Sequence, residues 1–163
     1  MGENTSELSG SEYLYIIHNM KKGNPAIDIK KEKGVQAASL EAAELGIINS
    51  AHDCSEGGLA ITLAESCITN KNKMLGAMIN LDSNIRKDAI LFGETPSRIV
   101  VSLDKDNVAS LERIAKRHSI PYRILGKVGG ERLTIQFGKT KPIDIPLKAL
   151  SDTWRNAIPS RLK

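Results

Sequence analysis

Short β-branched runs alternate with stretches of helical period along the whole chain, and no segment repeats another. Elements interleaved in this way pack as helices on a sheet, which restricts the fold more than any other feature of the sequence. The clearest strand is Arg98-Ile99-Val100-Val101-Ser102-Leu103, β-branched and bounded by Pro96 and Asp104. One helix is expected from Ser11-Glu12 to Lys22, stopped by Gly23 and Pro25. A second should run from Ile29 to Asn49 with Val35, Ala38, Leu40, Ala43, Leu45 and Ile48 on one buried stripe. An extended piece then enters a turn before a helix over 59–69, a strand over 77–81 and a short helix over 85–91 closed by Gly93. Asp106 or Asn107 caps a helix to His118. Pro121 to Val128 and Arg132 to Phe137 read as the two strands of a hairpin around Gly129-Gly130. A Pro-flanked strand remnant at 143–145 and a helix from Leu147 to Ile158, anchored by Leu150 and Trp154, complete the series. The fold class is α/β (or α+β) with helices on a mixed sheet, and 99–137 reads β–α–β–β, half of a ferredoxin-like arrangement.

A chain of 163 residues has room for one ordinary domain. Residues 1–10, polar and Gly/Ser-rich, read as a flexible lead-in, and 11–163 as a single domain. That lead-in resembles neither a signal nor a transit peptide, and no apolar run approaches the roughly 20 residues of a membrane-spanning helix, so a cytoplasmic location away from any membrane is expected. The formal charge of +4 and pI near 9.1 invite a nucleic-acid reading. However, the cations are interleaved with acids, and the densest run, Lys30-Lys31-Glu32-Lys33, lies at a helix start as a solvated face would. The six aromatic side chains are not interleaved with basic clusters, so nucleic acid is not an expected partner. Cys54 and Cys67 have no CxxC partner and read as small buried hydrophobes. His18, His52 and His118 are too scattered to indicate a metal site.

Two places could carry chemistry. At Asp53-Cys54-Ser55-Glu56-Gly57-Gly58 adjacent glycines precede a helix whose unpaired N–H groups could hold an anion, with His52 and Ser55 adding hydrogen bonds to a phosphate. Alternatively, Asp53 and Ser55 simply cap the helix and Gly57 and Gly58 make the turn. At Gly93-Glu94-Thr95-Pro96-Ser97-Arg98, Glu94 and Arg98 could pair and hold a tight connection, or Arg98 could face an anion and Glu94 a metal or a ribose hydroxyl. No Walker-type loop, matched nucleophile and base, or carboxylate cluster for Mg²⁺ is present, so no catalytic residue and no resident cofactor or metal is assigned.

Four segments, in order, resemble the phosphoribosylformylglycinamidine synthases. Ser50-Ala51-His52-Asp53-Cys54-Ser55-Glu56-Gly57-Gly58-Leu59-Ala60 is similar to their S-A-H-D-x-S-[DE]-G-G-L-A stretch. Leu91-Phe92-Gly93-Glu94 with Ser97-Arg98-Ile99-Val100-Val101 resembles L-F-G-E-x-x-S-R-x-V-V. Leu8-Ser9-Gly10-Ser11-Glu12-Tyr13-Leu14 resembles the L-G-G-S-E-Y segment opening the last domain of the large subunit, and Gly126-Lys127-Val128-Gly129-Gly130 its G-x-V-G-G turn.

The resemblance implies a three-layer α/β/α domain with a mixed sheet, like the C-terminal domain of aminoimidazole ribonucleotide synthetase, and matches the second such copy in the large subunit. The whole enzyme it implies uses ATP, Mg²⁺ and glutamine-derived ammonia to convert formylglycinamide ribonucleotide to the amidine. Its implied partners are upstream ATP-binding-type domains, a glutaminase subunit and a small accessory subunit. A homo-oligomer is a further expectation, as is a strand before Gly2 in the intact protein. His52, Asp53, Ser55, Gly57, Gly58, Glu94, Ser97 and Arg98 are the substrate- or phosphate-binding candidates. Pro96 stands where the first copy of the family carries an amide side chain, and nothing here matches the family's catalytic histidine, ATP-binding lysine or Mg²⁺ carboxylates. The alternative reading is an autonomous, small-ligand-binding regulatory module.

Overall fold

The computed structural model describes residues 1–162. Backbone contacts gather the chain into two compact units, one from Met1–Thr62 with Asn84–Arg123, the other from Leu63–Ser83 with the chain from Ile124 onward. The chain is mixed α/β, as its alternating pattern requires.

The first unit contains α1 (Glu12–His18), α2 (Ile29–Glu44), β1 (Ile48–Asp53), the start of α3 (Gly58–Ile68), α4 (Lys87–Phe92), β3 (Ile99–Leu103) and α5 (Val108–Arg117). β1 and β3 pair antiparallel, with Ala51 opposite Val101 and Asp53 opposite Ile99. Val35, Ala38 and Ala42 of α2 and Leu111, Ile114 and Ala115 of α5 form the core with Ile47 and Ile120, and Ile48, Ile99, Val101 and Leu103 pack against it. Ala38, Ala42 and Ala115 are wholly buried; side chains this small let helices approach closely, and a larger one would overpack the seam. Residues 1–10 lie against this unit: Met1 and Ile99 exchange backbone hydrogen bonds of 2.8 Å and 3.0 Å.

The sequence places the end of α2 too late. Leu45 and Ile48 keep the helical period, but Gly46 adopts φ +65°, and the Gly46 and Ile47 amides donate to Ala43 O and Ala42 O, a Schellman closure. Ile48 therefore opens β1, while Leu40 and Leu45 are exposed and Ala42 joins the buried stripe. α1 likewise stops at His18, short of Lys22, because Asn19 takes the left-handed conformation (φ 50°).

The second unit holds the rest of α3, β2 (Ala77–Asn80), β4 (Gly126–Val128), β5 (Arg132–Phe137), β6 (Thr140–Pro146) and α6 (Leu147–Asn156). Its mixed sheet has the order β4-β2-β5-β6. This overturns the expected hairpin of β4 and β5, because β2 lies between them. Gly129 donates to Gly76 O and Gly76 to Gly130 O, so the glycine pair widens to admit β2. Ala77 and Ile79 then match Leu133 and Ile135 in parallel register, all four buried on one face. The half-ferredoxin expectation falls with it, since among the described residues β1 is the one strand that β3 pairs with. The actual hairpin joins β5 to β6 at Gly138 (φ 55°). The remnant at 143–145 is part of a full strand, its Pro142 and Pro146 tolerated because β6 is at the sheet edge. α6 is held by buried Leu147 and Ser151, with Trp154 exposed, and Arg155 donates to Ile68 O at the end of α3 (3.0 Å). Both cysteines are buried; burial raises both thiol pKa values, that of Cys67 to about 11, which disfavours the thiolate.

Glu41 of α2 accepts from Arg117 and from His118 Nε2 (2.7 Å), fastening α2 to the end of α5. The His118 hydrogen bond, with help from Arg117, holds the Glu41 carboxyl below the usual carboxylate range. A carboxyl whose folded pKa is depressed stabilises the fold above its unfolded pKa, and the contribution is lost as pH falls through the folded value. Glu41→Gln should therefore lower the urea midpoint at about pH 7, and its gap to wild type should narrow by about pH 3. A constant gap between those two pH values would show that Glu41 contributes by packing alone.

Candidate functional site

The sites read from the sequence lie on adjoining backbone in the first unit. β1 ends at Asp53, Cys54 continues the ladder by donating to Arg98 O (2.9 Å), and the chain then turns through Gly57 (φ 77°) and Gly58 (φ 61°) into α3. A Cβ on Gly58 would sit 2.4 Å from Gly93 O and 2.9 Å from Phe92 C. The turn therefore requires glycine twice over, for its left-handed backbone and for the approach of the Phe92–Gly93 segment. Thr62 Oγ1 donates within reach of both Asp53 O and Gly58 O, each at 3.0 Å, tying the strand end to the first turn of the helix. Ser55 donates to Asp53 Oδ2, and this bond first of all holds the Asp53 carboxyl below its ordinary range. His52 Nδ1 lies 2.8 Å from Asp53 O.

Glu94 and Arg98 are not hydrogen-bonded to each other; Glu94 closes on backbone amides, and Arg98 on two carbonyls and the Asn4 side chain. Glu94 Oε1 accepts from the Gly57 amide and from the Glu12 amide at the start of α1, both at 2.8 Å. A protein carboxylate therefore already sits on an amide that an anion at the glycine turn would use, and the Gly58 amide donates to Ser55 O (3.0 Å). Arg98 is 6% exposed. Its guanidinium donates to Gly93 O, to Thr95 O (3.0 Å) and to Asn4 Oδ1 (2.9 Å). Burial lowers its pKa, with the Glu94 carboxylate among the groups opposing. Ser97 holds a left-handed φ of 63° and donates to Glu32 Oε2 at 2.6 Å, while Thr5 and Thr95 hydroxyls meet at 2.8 Å.

Each polar side chain of the 94–98 loop is thus engaged within the protein, and among the described residues no buried side-chain nitrogen or oxygen lacks a partner. Among the same residues no three His, Cys, Asp or Glu side chains gather as a metal would require. A cleft of about 310 Å³ opens beside the loop, bordered by Gly2, Glu7, Ile27, Lys31, Thr95 and Ser97. Sequence reasoning missed Thr62, Asn4, Thr5, Glu12 and Glu32. Only Thr62 carried a local signal, a hydroxyl four residues after Gly58 on the same helix face.

Gly58→Val should destabilise the protein by about 2–5 kcal/mol, combining backbone strain with a clash against backbone atoms. Gly46→Ala, where φ is also positive but no atom lies within 4 Å of the added Cβ, should cost only about 1 kcal/mol. Equal losses in urea denaturation would remove close approach as the reason for Gly58. Glu94→Ala should cost about 1–3 kcal/mol by leaving two amides without their acceptor. Glu94→Gln retains an acceptor oxygen and should recover most of that loss. If Glu94→Gln falls as far as Glu94→Ala, the charge matters more than the two hydrogen bonds.

Similarity to known proteins agrees with this geometry. Residues 1–138 match the family described as AIR synthase related protein, C-terminal domain. A phosphoribosylformylglycinamidine synthase subunit PurL from Anaeromyxobacter sp. (strain K) is 41% identical over 171 aligned positions, covering 100% of this chain and 22% of the relative. The protein of that name from Thermoanaerobacter sp. (strain X514) is 40% identical over 97% of the chain and 21% of its own length. The chain thus spans about a fifth of the length of these relatives. In solved structures it resembles Thermotoga maritima PurL complexed with ATP, with a TM-score of 0.71 at 20% identity over 92% of this chain and 24% of that one. The structure of PurLQS from the same organism gives 0.71 at 19% over 88% and 24%. At such identities the structural likeness speaks for the fold. No helix among the described residues is long and apolar enough to cross a membrane. By the family match over most of its length, the chain belongs to the AIR synthase related protein C-terminal domain family.

Proposed function

We propose that this chain serves as a framework domain of a phosphoribosylformylglycinamidine synthase, the amidoligase that converts formylglycinamide ribonucleotide to its amidine in purine biosynthesis. The observation that carries the reading is likeness over the full chain, at 41% identity, to a subunit of that name. Both compact units would then belong to one domain over 11–163. A framework role follows from the bonding: Glu94, Ser97 and Arg98 hold the loop, and Asp53, Ser55, Gly57 and Gly58 build the turn. His52 and these seven residues position backbone in this reading, and a phosphate on the Gly57 amide would require Glu94 to leave it.

ATP would enter through ATP-binding-type domains upstream, a reading supported by the Thermotoga maritima PurL structure with ATP. Mg²⁺ would accompany the ATP, held by the carboxylates of those upstream domains. Glutamine would be the amide donor, through a glutaminase subunit joined by a small accessory subunit; the relative named PurLQS supports such partners. The enzyme would work in the cytoplasm. A second reading, an autonomous small-ligand module, draws on the cleft beside Thr95–Ser97.

Grafting this chain in place of the matching segment of the Thermoanaerobacter subunit tests the first reading. The chimera should form amidine within about tenfold of its parent, a barrier change of about 1.4 kcal/mol. A folded chimera without turnover would overturn it. Amide-resolved NMR of the isolated chain separates the second reading. We expect no shifts with formylglycinamide ribonucleotide or MgATP; shifts confined to 95–97 would favour a ligand module, and shifts at 55–58 an anion site at the turn.

A further inference from the structure

Met1 is held in the manner of a strand residue. It exchanges backbone hydrogen bonds of 2.8 Å and 3.0 Å with Ile99, the reciprocal pair that directly opposed residues of antiparallel strands form. On the other side the Gly2 amide donates to Pro121 O at 2.9 Å, so the main chain here is bonded both to β3 and to the segment after α5. Its direction is fixed as well. A Cβ on Gly2 would collide with Ser97 O, so the chain passes Ile99 and continues beside Ser97, against the direction of β3. Burial pushes the Met1 amine below its ordinary value; a peptide N–H would fill that position with no charge to desolvate.

Past Ile99 the same edge of β3 continues. β1 takes the opposite edge, where Cys54 donates to Arg98 O and the ladder goes on past Val100 and Ser102. Backbone groups alternate along a strand, so those of Val101 and Leu103 face the way those of Ile99 do, on the line that Met1 occupies. Among the described residues neither Val101 nor Leu103 has a backbone partner on that edge. The side chains of Met1, Ile99, Val101 and Leu103 all pack against the core of α2 and α5, yet each is only half-buried. We propose that this edge takes a further strand, formed by polypeptide continuing upstream from Met1 and antiparallel to β3. The residue two before Met1 then lies opposite Val101, and the residue four before it opposite Leu103. Both share the face of Met1 and cover the half-buried stripe, so both are apolar; the positions between them carry no such demand. A strand supplied by a separate molecule fits less well, because its last residue would have to stop against the Met1 amine.

The test is the 163-residue chain extended by Val-Thr-Val-Thr directly before Met1, which puts valine at the two positions that face the core. Thr-Val-Thr-Val at the same place is the slipped control, with its valines turned to the other face. Hydrogen exchange is read amide by amide in both chains and in the parent. In the Val-Thr-Val-Thr chain the Val101 amide should exchange about a hundredfold more slowly than in the parent, and the urea midpoint should rise. The slipped control should slow Val101 by less than about threefold. Unchanged exchange at Val101 or equal protection by the two extensions would overturn the proposal. So would protection at Ala51, on the open edge of β1, in place of Val101, or a lower urea midpoint for the Val-Thr-Val-Thr chain.

Discussion

A guanidinium taken out of water must find acceptors for its donors or the fold is lost, and Arg98 is such a group. The chain meets the demand with two carbonyl oxygens from its own loop and one amide oxygen from Asn4. Much of the first unit follows from that choice. The loop from Gly93 to Ser97 curls around the side chain, and its Glu94 carboxylate reaches the Gly57 and Glu12 amides. The residues around Asn4 are drawn onto the same loop, beside the point where Met1 pairs with Ile99. One buried charge thus sets a strand start, a glycine turn, a helix start and the path of the first residues. Arg and Lys are not equivalent here, because an ammonium cannot spread its donors over three acceptors in a planar fork.

A carboxylate carried by the protein on the Gly57 amide also changes how the turn is understood. Adjacent glycines ahead of a helix are permissive for anions, but they are equally suited to receiving a side chain from a neighbouring loop. Glu94 is held by two amides from separate parts of the chain, and Gly58 is pressed against the segment that carries it. Within this chain the glycine turn and the 94–98 loop therefore brace each other.

Local chemistry was legible in the sequence; distant partners were not. β3 was evident from its β-branched run, whereas α5 was read from a cap at Asp106 or Asn107 that the fold does not make, the Asn107 side-chain amide donating instead to Ile47 O. Gly57 and Gly58 were evident as a turn because adjacent glycines ahead of an apolar helix have few other uses. α2 was read too long because Leu45 and Ile48 keep the helical period across Gly46, and only the closing hydrogen bonds at Ala42 and Ala43 end it. The glycine pair at 129–130 announced a reversal without saying what lies between its arms. Glu94 and Arg98 were read either as partners of each other or as facing a metal or ribose hydroxyl and an anion, and in the fold each is bonded elsewhere in the protein. Their actual partners lie as far as 82 and 94 residues away, beyond any spacing argument.

The place of β2 in its sheet bears on how the chain is made. Ala77 lies beside Leu133, and the residues between them include a large part of the other unit. On the ribosome β2 emerges long before β5 exists, with both of its hydrogen-bonding edges open. Loop-closure entropy opposes such late, parallel pairing. The first unit, whose segments are all complete by Arg123, can gather during synthesis and shorten the effective distance that β2 must wait across. The order of strands in the sheet therefore imposes an order in time: β2 is made early and waits, unpaired, for a partner that the ribosome delivers more than fifty residues later.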